Sequence, residues 1–110
     1  MPSVTVHEET QTERGWTFRL TWVGAASERD EIRGRGVALG GERTVMLTLG
    51  WHDYEHWSHG ISAPMDVARA VLEAALEERP ELAVPGRVDA STLRRMVSGL
   101  DSLVRERLGG

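Results

Sequence analysis

Three histidines and a glutamate fall close together in the run Trp51-His52-Asp53-Tyr54-Glu55-His56-Trp57-Ser58-His59-Gly60. At about 100° per residue, a helix through this run gathers His52, Glu55, His56 and His59 on one side. It gathers Trp51, Tyr54 and Trp57 on the other. Imidazole nitrogens with a carboxylate suit zinc, nickel or copper. They also titrate close to neutral pH, since an ordinary histidine has a pKa of about 6.5. Ligands drawn from one short helix rarely close a tetrahedral shell, so a metal reading needs a partner chain to complete it. The competing reading is a solvated polar face backed by an aromatic anchor of Trp51, Tyr54 and Trp57. The second is the expectation, with zinc or nickel held by His52, Glu55, His56 and His59 as its alternative. No cofactor is expected otherwise.

His52-Asp53-Tyr54-Glu55-His56 also spells the H-x-x-E-H string of inverted zinc peptidases, in which two histidines hold zinc and the glutamate acts as base. Those enzymes are much larger and take a further acidic ligand from a distant helix. Here the segment spans about two turns between Gly50 and Gly60, and a string with so few fixed positions arises easily by chance in a histidine-rich patch. It predicts no peptidase. Other reactions lack their parts. Cysteine is absent, no G-x-S-x-G occurs, and Ser58 and His59 are merely sequence neighbours. No glycine loop both follows a strand and opens a helix. Arg33-Gly34-Arg35-Gly36 is a single arginine-glycine copy among Glu28, Asp30, Glu31 and Glu42, which reads better as a hairpin edge than as an RNA-binding segment.

The frame that must position these residues is small. At 110 residues the chain has room for one domain and one modest core. Its 40% hydrophobic and 27% charged composition is that of a globular chain. The net charge of −4 argues against a general nucleic-acid binder, which gains affinity by neutralising phosphates. All 13 basic residues are arginine, which reads as the habit of a GC-rich genome rather than a selected role for guanidinium. Without thiols there are no disulfides. No apolar run is long enough to span a bilayer, and Met1-Pro2-Ser3-Val4-Thr5-Val6 lacks the features of a signal peptide. The expectation is a cytoplasmic protein, with neither membrane nor nucleic acid as partner.

The first half alternates with β periodicity. Val4 and Val6 alternate with Thr5 and His7; Trp16, Phe18, Leu20 and Trp22 alternate with Thr17, Arg19 and Thr21. Gly15 marks a hairpin turn between these two strands. Val45, Leu47 and Leu49 point inward from a third strand that Gly50 ends. Between them, residues 24–43 form either a weak hairpin edge or a long loop. The second half changes to helical spacing. Ser62-Ala63-Pro64 supplies a capping hydroxyl and a first-turn proline, and Ala68, Val71, Leu72, Ala75 and Leu76 follow until Pro80. A last helix is entered through Asp89 as N-cap and carries Leu93, Met96, Val97, Leu100, Leu103, Val104 and Leu108. Gly99 either weakens it by about 1 kcal/mol relative to alanine or, with Ser98 and Asp101 as a capping pair, breaks and restarts it.

The expected architecture is α+β, a small antiparallel sheet of three to four strands packed on one face by two to three C-terminal helices. Its parts are a β-meander over about 3–50, a helical turn over about 51–58, and helices over about 63–79 and 89–108. In order of motifs the chain resembles a family of small, uncharacterised prokaryotic α+β proteins. The residues that carry the resemblance are Gly15-Trp16-Thr17-Phe18, Asp53-Tyr54, Ser62-Ala63-Pro64, Glu78-Arg79-Pro80 and Asp89. The chain departs from that pattern in the Gly24–Arg43 stretch and in its clustered histidines. The resemblance implies the same fold and makes Tyr54 a structural anchor, and it implies no catalytic residue. The function expected is a non-enzymatic protein-interaction or regulatory module, pairing with a second copy or a small protein through an open sheet face or edge. A metal-binding protein is the alternative, and a small enzyme comes last.

Overall fold

A computed structural model describes residues 3–23 and 42–109. Three nine-residue strands, β1 (Val4–Thr12), β2 (Gly15–Val23) and β3 (Glu42–Gly50), form an antiparallel meander. Then come α1 (Trp51–Ser58), α2 (Pro64–Glu78), the short β4 (Arg87–Asp89), α3 (Ala90–Met96) and α4 (Leu100–Arg107). The strand order is β1-β2-β3-β4, and β4 runs parallel to β3. The fold is α+β, with a mixed sheet where sequence periodicity predicts an antiparallel one. Three residues are too few to show an alternating pattern, so β4 reads as a crossing segment in sequence. The hairpin-or-loop question over residues 24–43 falls largely on residues 24–41, outside the described residues; Glu42 and Arg43 open β3.

The inward positions of the strands are those the alternation predicts. Phe18, Leu20, Val45, Leu47 and Leu49 are fully buried, with Trp16 and Trp22 nearly so. α2 lies against β1, β2 and β3 and packs along α4. Its Val67, Ala68, Val71, Leu72, Ala75 and Leu76 close the core from that side. Each large apolar side chain sealed there contributes about 1.5–3 kcal/mol relative to exposure.

Gly15 is required where it stands. Its φ is +145°, and a Cβ there would lie 2.1 Å from the carbonyl oxygen of Leu49. The close approach lets the β1–β2 turn receive the next element: Trp51 N–H, the first of α1, donates to the carbonyl of Arg14 at 3.0 Å.

Local expectations fare unevenly: the Ser62 cap fails, Asp89 holds its place, and of the two readings of Gly99 the broken helix is found. The N-cap of α2 is Ala63 rather than Ser62, with no side-chain cap. Asp89 occupies the N-cap of α3, but its carboxylate makes no capping bond. The final helix is broken at Gly99, which stands at φ 76° as the N-cap of α4. Asp101 makes no cap there because its carboxylate is engaged elsewhere.

Candidate functional site

The histidine-aromatic run is helical over Trp51–Ser58, and the helix ends one residue earlier than a shared histidine face requires. His59 is left-handed (φ 52°) and caps the helix by donating its N–H to Glu55. Ser58 Oγ donates back to the Tyr54 carbonyl and accepts from Gly60 N–H, which fixes this turn. His59 therefore leaves the track of His52 and His56. Among the described residues, no three His, Asp or Glu side chains are grouped to hold a metal.

The aromatic side divides as well. Trp57 is 2% exposed, whereas Trp51 is 42% exposed. Trp51 lies on Trp16, ring centroids 4.3 Å apart, and Tyr54 meets the same indole edge-on at 4.9 Å. The Tyr54 hydroxyl donates to the Ser62 carbonyl at 2.6 Å, which ties α1 to the start of α2. Trp57 faces a different neighbourhood. Its Nε1–H donates to Asp101 Oδ1 at 2.9 Å.

Asp101 and Arg94 form the centre of a polar cluster that joins α1, α3 and α4. Arg94 grips Asp101 in a fork, Nε to Oδ1 at 2.9 Å and Nη2 to Oδ2 at 3.0 Å. Its Nη1 donates to Asp53 Oδ1 at 2.9 Å. The guanidinium carbon stands 5.6 Å from the Trp57 ring centroid, within cation–π range. The Arg94 pKa is raised, first by the Asp101 hydrogen bond, with burial opposing and Asp53 adding. Burial pushes the Asp101 carboxyl up, but hydrogen bonds from Arg94, His56 and Trp57 outweigh it and hold the group below its ordinary value.

His56 stands at the edge of this cluster. Its Nε2 is 3.1 Å from Asp101 Oδ2 and 3.3 Å from Arg105 Nη2. One ring nitrogen cannot donate and accept at once. A protonated Nε2 donates to Asp101, and a bare Nε2 accepts from Arg105. An open hollow of about 440 Å³ adjoins Arg94 and Asp101 and includes Ser91 and Ser102. Among the described residues, neither hydroxyl hydrogen-bonds His56.

Sequence reading missed Arg94, Asp53 and Asp101 as a unit. One signal was available, because on a helical wheel Asp53 falls between His56 and Trp57. A carboxylate at the margin of a buried stripe requires a cation from another element. Which arginine supplies it depends on how the last helix is broken.

The second candidate surface is the sheet face turned away from the helices. Cross-strand register arranges its outward residues in rows. Thr5, Thr21 and Thr44 form one, in which Thr21 is buried, Glu8, Arg19, Met46 and Arg87 the next, and Thr10, Thr17, Thr48 and Asp89 a third. An irregularity between Val6 and Glu8 brings Glu8 and Thr10 onto this face, and His7 at that point contacts Thr21 Oγ1. Glu8 pairs with Arg19 at 3.3 Å. A shallow hollow of about 370 Å³ lies where Met46, Arg87, Asp89 and Thr92 meet. In comparisons with known proteins, the chain matches no family model, no curated protein and no solved structure.

Proposed function

We propose that this chain is a non-enzymatic protein-interaction module acting in the cytoplasm, whose contact surface is the open sheet face. The observation that carries this reading is the arrangement of that face among the described residues: a charged row of Glu8, Arg19, Met46 and Arg87 beside a row of exposed or half-exposed threonines, Thr10, Thr17 and Thr48, on a sheet whose other side is packed by helices. Threonine and arginine on a flat pleated surface offer hydrogen bonds, methyl contacts and charge without deep concavity. Such chemistry suits a polar, water-bridged protein contact better than a small-molecule site. It also lacks the outward aromatics on which single-stranded nucleic acid stacks, since Trp16, Phe18 and Trp22 face the core.

The polar cluster supports the same reading by the way its groups are used. Both Asp101 oxygens accept hydrogen bonds, and Arg94 spreads its donors over two carboxylates. A cluster so internally matched clamps three helices together.

A photo-crosslinking residue placed at Thr48, with a control on the exposed side of α2 at Arg69, tests the proposal in cells. A discrete protein adduct from Thr48 and none from Arg69 is expected. Equal labelling from both sites, or none from Thr48, would overturn the assignment.

A further inference from the structure

We infer that the occupant of the open face is a second copy of this chain, stacked sheet on sheet about a two-fold axis parallel to the strands. The inference rests on the interaction-module reading and names its partner. Its basis is the charge order along the central row, Glu8, Arg19, Met46, Arg87, acidic at one edge and basic at the other. Two in-plane axes can bring this face onto itself. An axis across the strands, along the charged row, sets Glu8 on Glu8, Arg19 on Arg19 and Arg87 on Arg87. That is like charge on like, which costs several-fold in affinity at each contact.

An axis along the strands, between β2 and β3, reverses the row. Glu8 then faces Arg87 of the second copy, Arg19 faces Met46, Thr10 faces Asp89 and Thr17 faces Thr48. Each two-fold contact occurs twice, as closed symmetry requires. Stacked sheets rotate by about 30° through their twist. An outer strand lies roughly 7 Å from the axis, so the corners shift by only about 4 Å, within reach of arginine and glutamate side chains.

The size of the surface sets the strength. Strands at about 4.8 Å spacing and outward rows about 7 Å apart give a patch on the order of 400 Å² per copy. The total, roughly 800 Å², is below the ~1,200 Å² of standard stable interfaces. The dimer is therefore a weak, salt-sensitive one, with a Kd on the order of 10–100 μM.

Sedimentation velocity of the purified chain from 5 to 500 μM, in low and high salt, tests it. The mass should rise from 12.2 kDa toward twice that value with concentration, and less so in high salt. Glu8→Arg and Arg87→Glu should each weaken association about ten-fold or more, and the double exchange should restore it. Circular dichroism checks that every variant is folded. A wild-type monomer throughout, or a dimer indifferent to both exchanges, overturns the inference. If the chain is monomeric yet Thr48 still crosslinks to a different protein, only the second-copy assignment fails. If it is monomeric and Thr48 yields nothing, the interaction-module reading fails with it.

Discussion

At the scale of residues, the most consequential side chain is Arg94. It is the only cation within hydrogen-bond reach of Asp53 among the described residues, and it also holds Asp101. Removing one partner of a fully buried pair costs about 3–5 kcal/mol. Asp101 is 35% exposed, so solvent repays part of that, and Arg94→Ala should cost about 2 kcal/mol in urea unfolding with an unchanged m value. Arg94→Lys should recover less than half, because an ammonium cannot fork onto Asp101 while reaching Asp53. The acid limb of stability follows from Asp101. Its folded pKa is depressed, so its contribution is complete above the unfolded value of about 3.9 and is lost as pH falls through the lower folded value. Arg94, shifted upward, keeps its contribution throughout this range. Asp101→Asn should therefore melt below the wild type at pH 7, with the gap closing below about pH 4. A gap that stays constant down to pH 2 would show that the carboxylate charge contributes nothing. None of this pairing is legible from residue types alone, because Asp53, Arg94 and Asp101 belong to three different helices.

At the scale of elements, two glycines with positive φ shape the site, and at Gly99 the broken-helix reading holds over the continuous one. Gly99 inside a continuous helix would be a weak point, and alanine there would stabilise. In the folded chain Gly99 is left-handed at the start of α4, with open space around its missing Cβ. Gly99→Ala should thus destabilise by about 1 kcal/mol, the cost of left-handed backbone alone. Gly15→Ala adds a collision with the Leu49 carbonyl to an unfavourable φ and should cost about 3 kcal/mol or more. Thermal melting of the two variants checks both sign and order. The strands and α2 were readable because periods of two and of 3.6 are local properties of the chain. β4 was not, because its pairing with Met46, Leu47 and Thr48 depends on where α2 delivers the chain. The left-handed turn after α1 was only half hidden, since Gly60 at φ 79° carries the glycine signal and His59 at φ 52° does not.

At the scale of the molecule, α1 ties three other elements together. Tyr54 ties it to the start of α2, Trp51 to β2, and Trp57 to α4. His56 turns toward Asp101 and Arg105, and His59 leaves the helix, so His52, Glu55, His56 and His59 do not converge. A zinc site tighter than about 10 μM would add roughly 2.7 kcal/mol of stability at 1 mM zinc. The expected outcome is a melting temperature insensitive to zinc and nickel. A rise of that size, abolished by His56→Ala, would show that a site forms. The opposite end of α4 is held separately. Arg107 pairs with Glu73 and Glu77 of α2, and Glu73 also accepts from Val4 N–H of β1.

Residue spacing alone sets the sheet's inward faces, the apolar stripe of α2, the change from β to helical period, and a helix carrying two chemically distinct sides at Trp51–Ser58. Each of these is written in spacing along the chain, which local geometry converts directly into faces. Which faces meet is a matter of long-range packing. That packing places Trp57 in the core and leaves Trp51 half out, matches Arg94 to Asp53 and Asp101 across three helices, and aligns acidic and basic strand positions into one charged row. Those outcomes depend on register and on where helices end, quantities set by the packing of distant segments rather than by any residue's own preference.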